Sequence, residues 1–353
     1  MPTPHIQRTL IALLIGILLV ACGSPAATTT DQTGSSGTSA TAAASSAAST
    51  APEASASPEA SATTESATET SASGGERVVK HAMGETTVPA NPQRVVVLDT
   101  GELDSALALG VKPVGAVSAT QGGSFPSYLA DQTEGITNVG TIQQPNLEAI
   151  IALKPDLILS SKLRHEAIYP QLSQIAPTVF TEAVGVVWKE NLKLHAEALG
   201  KTAEAQKLMD DYTARLDEFK AKMGDQLANT KVSTVRFLSG GKVRIYMKQS
   251  FIGTVLQDAG LPRPAAQDKD VFAEEVSKER IPDMDGDVMF VTTFGPGDET
   301  ALTTFESDPL WSQLGVVKAD KVYAVPDDYW MLGIGILAAN RVVDDLFTHL
   351  AQG

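Results

Sequence analysis

Between Lys201 and Leu227, the sequence KTAEAQKLMDDYTARLDEFKAKMGDQL places Ala205, Leu208, Met209, Tyr212, Leu216, Phe219 and Met223 at steps of three and four. That spacing lines one face of an α-helix. Thr202 is a candidate N-cap. Glu204 suits the positive end of the helix, and Lys220 and Lys222 suit the negative end. From Thr202 to Met223 the helix would run roughly 33 Å, about the width of a small domain. Strands and helices alternate on both sides of it. Two arrangements are open: a long helix packed on one sheet, or two α/β lobes tied together by that helix. The second is favoured because the two halves are alike in class.

Before the helix, Arg94–Leu98 (RVVVL) reads as a strand buried on both faces. Asp99-Thr100-Gly101-Glu102 opens a helix ending at Gly110, and Pro113–Val117 and Asp156–Ser160 read as further strands. A hairpin is expected around Met83-Gly84, and a short helix over Trp188–Leu199. Strand–helix–strand units at this spacing imply a parallel sheet. After the helix, strands are expected at Val232–Leu238, Val243–Met247, Asp287–Thr292 and Lys321–Val325, with helices from Ser250 and from Ile336. The fold class is therefore α/β, with two Rossmann-like lobes bridged by a single long α-helix. The boundaries are 77–200 for the first lobe, 201–227 for the helix and 228–353 for the second lobe.

The amino terminus has a different character. Arg8 precedes a 12-residue apolar run, Leu10–Ala21, which suits a signal peptide (1–21) and is short of the about 20 residues of a membrane span. The run ends in Leu19-Val20-Ala21-Cys22, similar to a bacterial lipobox, which implies lipidation of Cys22 and attachment to the membrane. As the one cysteine of the chain, Cys22 has no partner for an intrachain disulfide. Gly23–Glu76 holds no Val, Ile, Leu, Met, aromatic, Lys or Arg, so it cannot bury a core and is expected to be a disordered tether. Six acids in that tether account for much of the formal −15, leaving −10 for residues 77–353. An acidic body argues against nucleic acid, whose phosphates need clustered Lys and Arg.

Catalytic patterns are missing. The chain has no G-x-S-x-G, H-E-x-x-H, Walker loop or G-x-G-x-x-G, and its five histidines fall at no metal-ligand spacing. His195 is expected on a solvated helix surface.

Read together, several blocks resemble the substrate-binding proteins of ferric-siderophore ABC transporters. They are Arg94–Asp99, Gly110–Gly115, Asn138-Val139-Gly140, Pro145–Ile150, Leu153–Ile158, Ile175–Val179, Ser250–Gly253, Gly260–Pro264 and Tyr329-Trp330. The resemblance spans about residues 78–350. It implies ligand held in the cleft between the lobes and delivery to an ABC permease by a monomer. The iron would arrive already chelated, so neither a protein metal site nor a resident cofactor is implied.

In open parallel sheets, ligands meet the carboxyl ends of the strands. That rule and the resemblance give Thr100, Arg164, Trp188, Arg244, Tyr246, Lys248, Tyr329 and Trp330 as ligand contacts, with Lys162 and His165 as weaker candidates. Arginine forks suit carboxylate, catecholate or hydroxamate oxygens, and aromatic faces suit the organic shell. Some relatives carry an arginine where this chain has Thr292-Thr293-Phe294, which argues against a highly anionic chelate. Glu148 and Glu279, one per lobe, match the glutamates that dock on the permease. A cobalamin or haem ligand is the alternative within the same class. An enzyme on this scaffold and an adhesion lipoprotein are the alternatives outside it.

Overall fold

The structure, a computed structural model, describes residues 75–120, 122–295 and 301–351. The signal segment, Cys22 and all but the last two residues of the tether lie outside the described residues.

An antiparallel hairpin, β1 (Glu76–His81) and β2 (Gly84–Pro89), opens the first lobe. The lobe's sheet then uses β3 (Val95–Val97), β4 (Gly115–Ser118), β5 (Thr137–Thr141), β6 (Leu157–Ser161) and β7 (Thr178–Thr181). All its pairings are parallel, in the order β5-β4-β3-β6-β7. The chain starts in the middle, winds to one edge and returns to the other, so strand order reverses between β3 and β6. Its helices are α1 (Thr100–Ala108), α2 (Ala130–Thr133), α3 (Leu147–Ala152), α4 (Lys162–His165), α5 (Tyr169–Ile175) and α6 (Trp188–Leu199).

The long helix, α7, spans Thr202–Met223. Lys201 occupies its N-cap without a side-chain hydrogen bond, so Thr202 is the first helical residue rather than the cap. Its buried face carries Ala205, Tyr212, Leu216, Phe219 and Met223, five of the seven residues the periodicity selects.

The second lobe contains β8 (Val232–Leu238), β9 (Val243–Tyr246), β10 (Ala273–Glu275), β11 (Val288–Phe294) and β12 (Val322–Ala324). Its helices are α8 (Phe251–Asp258), α9 (Leu302–Glu306), α10 (Gly315–Lys318), α11 (Asp327–Trp330) and α12 (Ile336–Leu350). The sheet order is β10-β9-β8-β11-β12, and here the first lobe's plan is not repeated. The β8–β9 and β9–β10 pairs are antiparallel. The reason is local: Gly240 and Gly241 both have positive φ, which closes a tight turn with no room for a crossover helix.

The lobes are joined by more than α7. One continuous core holds Val95 and Leu103 of the first lobe, Val232 and Phe290 of the second, Tyr212 and Phe219 of α7, and Val342 and Leu346 of α12. Asp104 of α1 reaches across and accepts from the backbone N–H groups of Leu337 and Ala338, both at 2.9 Å. It thereby supplies the N-terminal cap that α12, beginning after Gly335, does not make for itself. Gly335 is required there, since a Cβ would lie 2.3 Å from the Asp104 carboxylate. Tyr128 donates to the same carboxylate at 2.8 Å. Burial pushes the Asp104 carboxyl up to about 6 against these three hydrogen bonds.

His195 corrects the sequence reading. It is 1 % exposed, on the face of α6 turned into the protein, and neither ring nitrogen has a partner. Burial lowers its pKa to about 3, so the imidazole is neutral.

Candidate functional site

A cleft of 320 Å³ opens between the lobes at the carboxyl ends of β3 and β6, where the strand order of the first sheet reverses. Its polar floor comes from that reversal. Asp99 ends the run after β3 and caps α1, accepting from the Thr100 N–H at 2.7 Å. Arg164, in the turn of helix after β6, donates from Nε to the other Asp99 oxygen at 2.8 Å. The Asp99 side chain is fully buried, while that of Arg164 remains 36 % exposed. Among the described residues, the two terminal nitrogens of Arg164 carry no partner. The Thr100 hydroxyl donates to the Leu332 carbonyl, joining the floor to the loop that lines the far side.

Behind the floor lies Glu102, fully enclosed, with neither carboxyl oxygen hydrogen-bonded. Burial, and then the Asp99 carboxylate, pushes its pKa up to about 8, so it is protonated at neutral pH. His165 is also withdrawn. Its Nδ1 accepts from the Ser160 hydroxyl at 2.7 Å and its Nε2 donates to the Ile142 carbonyl at 2.6 Å. Burial lowers its pKa.

The walls are mostly apolar, with Gln249 and Ser250 the polar residues among them. Ile142, Leu163 and Val184 line one side, Phe251, Ile252 and Phe272 the other, and Met331, Leu332 and Ile334 the back. Leu163 and Phe272 stand 63 % and 54 % exposed, one on each lip. Ile334 has φ of 34°, a left-handed conformation that costs a β-branched residue on the order of 1–3 kcal/mol. The Thr100–Leu332 bond and the Asp104 cap, either side of it, hold it there.

On the second lobe, Arg236 of β8 donates from Nε and Nη2 to Asp327 at 2.7 and 2.6 Å, and from Nη1 to the Tyr246 hydroxyl at 3.2 Å. Its guanidinium lies 4.6 Å from the Phe294 ring centre. Burial alone would lower its pKa, but Asp327 more than offsets that and the net shift is upward. Tyr246, whose hydroxyl oxygen accepts from Arg236, lines the cleft.

The expected contacts separate into two groups. Thr100, Arg164, Tyr246 and Trp330 come together around the cleft. Trp330 is its floor on the second-lobe side, fixed by Nε1 donating to Asp345 at 2.7 Å and by Phe290 at 4.5 Å between ring centres. Trp188, Arg244, Lys248 and Tyr329 do not line the cleft. Trp188 is 1 % exposed, donates to the Thr254 hydroxyl at 3.0 Å and packs edge-on against Phe251, so it supports a wall from behind. Arg244 points along the edge of the sheet to Glu275 at 2.9 Å. Lys248 is held outward by Asp268 and Asp270 at 3.1 and 3.4 Å. Tyr329 turns its hydroxyl to Asp345 at 3.0 Å. Lys162 pairs with Glu182 at 3.2 Å. Glu148 is exposed in the first turn of α3, and Glu279 in a 3₁₀ turn of the second lobe.

Asp99 and Phe272 were missed as cleft-lining residues, and Arg236 as the partner behind Tyr246. Arg236 had a signal: an arginine inside VSTVRFL must be buried with its strand, and a buried charge requires a partner. Phe272 had none, being an ordinary loop residue in sequence. Among the described residues, no three His, Cys, Asp or Glu side chains converge as a metal site.

Two α/β lobes closing on a shared, largely apolar cleft define a solute-binding protein. Residues 95–329 match the profile of the family described as periplasmic binding protein, and the chain belongs to that family. It is 43% identical over 293 residues to a Bacillus subtilis protein named "Probable siderophore-binding lipoprotein YfiY", covering 80% of this chain and 90% of the relative. It is 32% identical over 270 residues to the achromobactin-binding periplasmic protein of Dickeya dadantii, covering 74% and 88%. Among solved structures, Staphylococcus aureus SirA complexed with staphyloferrin B aligns with a TM-score of 0.70 at 37% identity, covering 78% of this chain and 98% of that one.

Proposed function

We propose that the protein captures a ferric siderophore in the inter-lobe cleft and delivers it to an ABC permease for iron uptake. The observation that carries this reading is the composition of the cleft. One arginine with two unshared nitrogens lines it, Thr100, Tyr246, Gln249 and Ser250 add neutral polar groups, and most of the remaining wall is apolar. An iron that arrives fully chelated needs only that: donors for the chelate's oxygens and surface for its organic shell. The names of the relatives support the same assignment.

The finer parts of the proposal rest on sequence. Cys22 would carry the lipid that holds the protein on the outer face of the cell membrane. As a flexible coil, the 54 residues of Gly23–Glu76 would give the folded body roughly 40 Å of reach. The body works as a monomer, and Glu148 and Glu279 project from separate lobes as the docking points on the permease.

The experiment is a titration of Trp330 fluorescence and of binding heat with ferric hydroxamate, catecholate and citrate chelates, beside cobalamin and haem. Micromolar or tighter binding of a ferric chelate is expected. Saturable binding of cobalamin or haem alone, with no response to any ferric siderophore, would sink the proposal.

A further inference from the structure

The cations around the cleft are already answered by acids. Within the two basic segments that approach it, 162–164 and 236–252, every Lys and Arg has a carboxylate partner. Arg164 has Asp99 at 2.8 Å, Arg236 has Asp327 at 2.6 Å, and the outward-facing Lys162, Lys242, Arg244 and Lys248 are paired between 2.9 and 3.6 Å. Residues 296–300, beyond the described part of the second lobe, contain no Lys or Arg. Phe294 supplies the ring on which Arg236 lies and adds no charge of its own.

These pairings set the cost of different guests. Moving an anion from water into an apolar cleft removes hydration that only cations or many donors can replace. Ferric chelates differ widely in this respect. Each hydroxamate brings one negative charge, so a ferric tris-hydroxamate is formally neutral. Each catecholate brings two, so a ferric tris-catecholate is a trianion, and ferric citrate complexes are likewise polyanionic. Arg164 can donate two hydrogen bonds to a chelate, but its charge is already shared with Asp99.

Resting on the siderophore reading above, we propose that the cleft selects ferric chelates of low net charge, hydroxamate-rich rather than tris-catecholate, and that Asp99 and Asp327 set this selectivity by neutralising Arg164 and Arg236. Recognition then runs through directed N–H and O–H donors and apolar contact, and long-range attraction contributes little.

The test uses the folded protein with three defined probes: a neutral ferric tris-hydroxamate, a trianionic ferric tris-catecholate and ferric citrate. The neutral chelate is expected to bind at least tenfold more tightly than either polyanion, with an affinity that changes less than about twofold between low and physiological salt. Asp99→Asn keeps the side-chain shape and the capping oxygen while removing the charge. It is expected to shrink the neutral-to-trianion affinity ratio by tenfold or more. Asp327→Asn should move the ratio in the same direction. A wild-type protein that binds a polyanion as tightly as the neutral chelate, or a ratio unmoved in Asp99→Asn, overturns this inference and leaves the siderophore assignment standing. A protein that binds none of the ferric chelates overturns both. The salt dependence is read on the unaltered chain, so the inference remains falsifiable even if a variant folds poorly.

Discussion

Each lobe has one arginine–aspartate pair, the first lining the cleft and the second behind the cleft residue Tyr246, and the two pairs do different work. In the first lobe, Arg164 uses only Nε on Asp99, and its side chain is 36 % exposed. In the second, Arg236 commits Nε and Nη2 to Asp327 and Nη1 to Tyr246, and both side chains of the pair are about one-tenth exposed. The chemistry is the same and the solvent access is not. An arginine with spare donors at a helix start can take hold of a ligand. A sandwiched arginine with all three nitrogens engaged can only hold its neighbours in place. Position in the sheet underlies the difference: Arg164 follows β6 at the switch point beside β3, whereas Arg236 lies within the central strand β8 and is enclosed by Asp327, Tyr246 and Phe294.

The largest test of this contrast is removal of the acids. Asp327→Ala strands a buried guanidinium and should cost about 3–5 kcal/mol of stability. Asp99→Ala lets Arg164 turn to water and should cost about 1–2 kcal/mol, mainly the lost helix cap. Chemical denaturation of both variants measures the gap, and equal losses would mean the two pairs are equivalent.

Acidity offers a second contrast, because Glu102, Asp104 and His195 all belong to the first lobe. His195 stays neutral down to about pH 3 when folded but protonates near 6.5 when unfolded, so its contribution falls as pH drops through that interval. Glu102 is the reverse. Its folded pKa of about 8 lies above its usual 4.5, so stability is lost as pH rises between those values. His195→Leu should flatten the acid side of the stability curve and Glu102→Gln the alkaline side, each by up to roughly 4 kcal/mol. Unfolding free energies measured from pH 4 to 9 would show it, and an unchanged slope in either variant would remove that residue from the account.

Binding effects should be smaller. Arg164→Ala is expected to weaken chelate binding by about 1.5–3 kcal/mol, the worth of a charged hydrogen bond. Arg244→Ala, which loses only a rim ion pair, should stay within about 1 kcal/mol. Calorimetric titration separates the two, and a larger loss at Arg244 would place the ligand on the outer hairpin. The smallest expected change is in shape. With a core continuous through both lobes, empty and loaded protein should differ in radius of gyration by less than about 1 Å, and a fall of several ångströms in solution scattering would contradict the structure.

The sequence made periodic features legible and left paired ones hidden. The α7 boundaries, the buried β3 run and the start of α8 after Ser250 follow from spacing and capping chemistry, which act locally. Arg164 and Trp330 could be placed at the cleft because their blocks resemble known relatives. Trp188 and Lys248 sit at similar points along the chain, yet they face Thr254 and the two aspartates. Which way a side chain turns depends on partners tens of residues away, and His195 shows the same limit. Its helix is read correctly, but the face that becomes interior is chosen by α1 and α7.

Asp104 has a consequence for modularity. A carboxylate of one half finishes the last helix of the other, and Gly335 is bare to admit it. Neither half is then a complete folding unit. A fragment ending near residue 227 would carry a buried carboxylate with nothing to cap, and one beginning there would begin its last helix uncapped. Both lobes are α/β and each has its own sheet, but this protein can be neither halved nor built by exchanging one half for a relative's without restoring that junction.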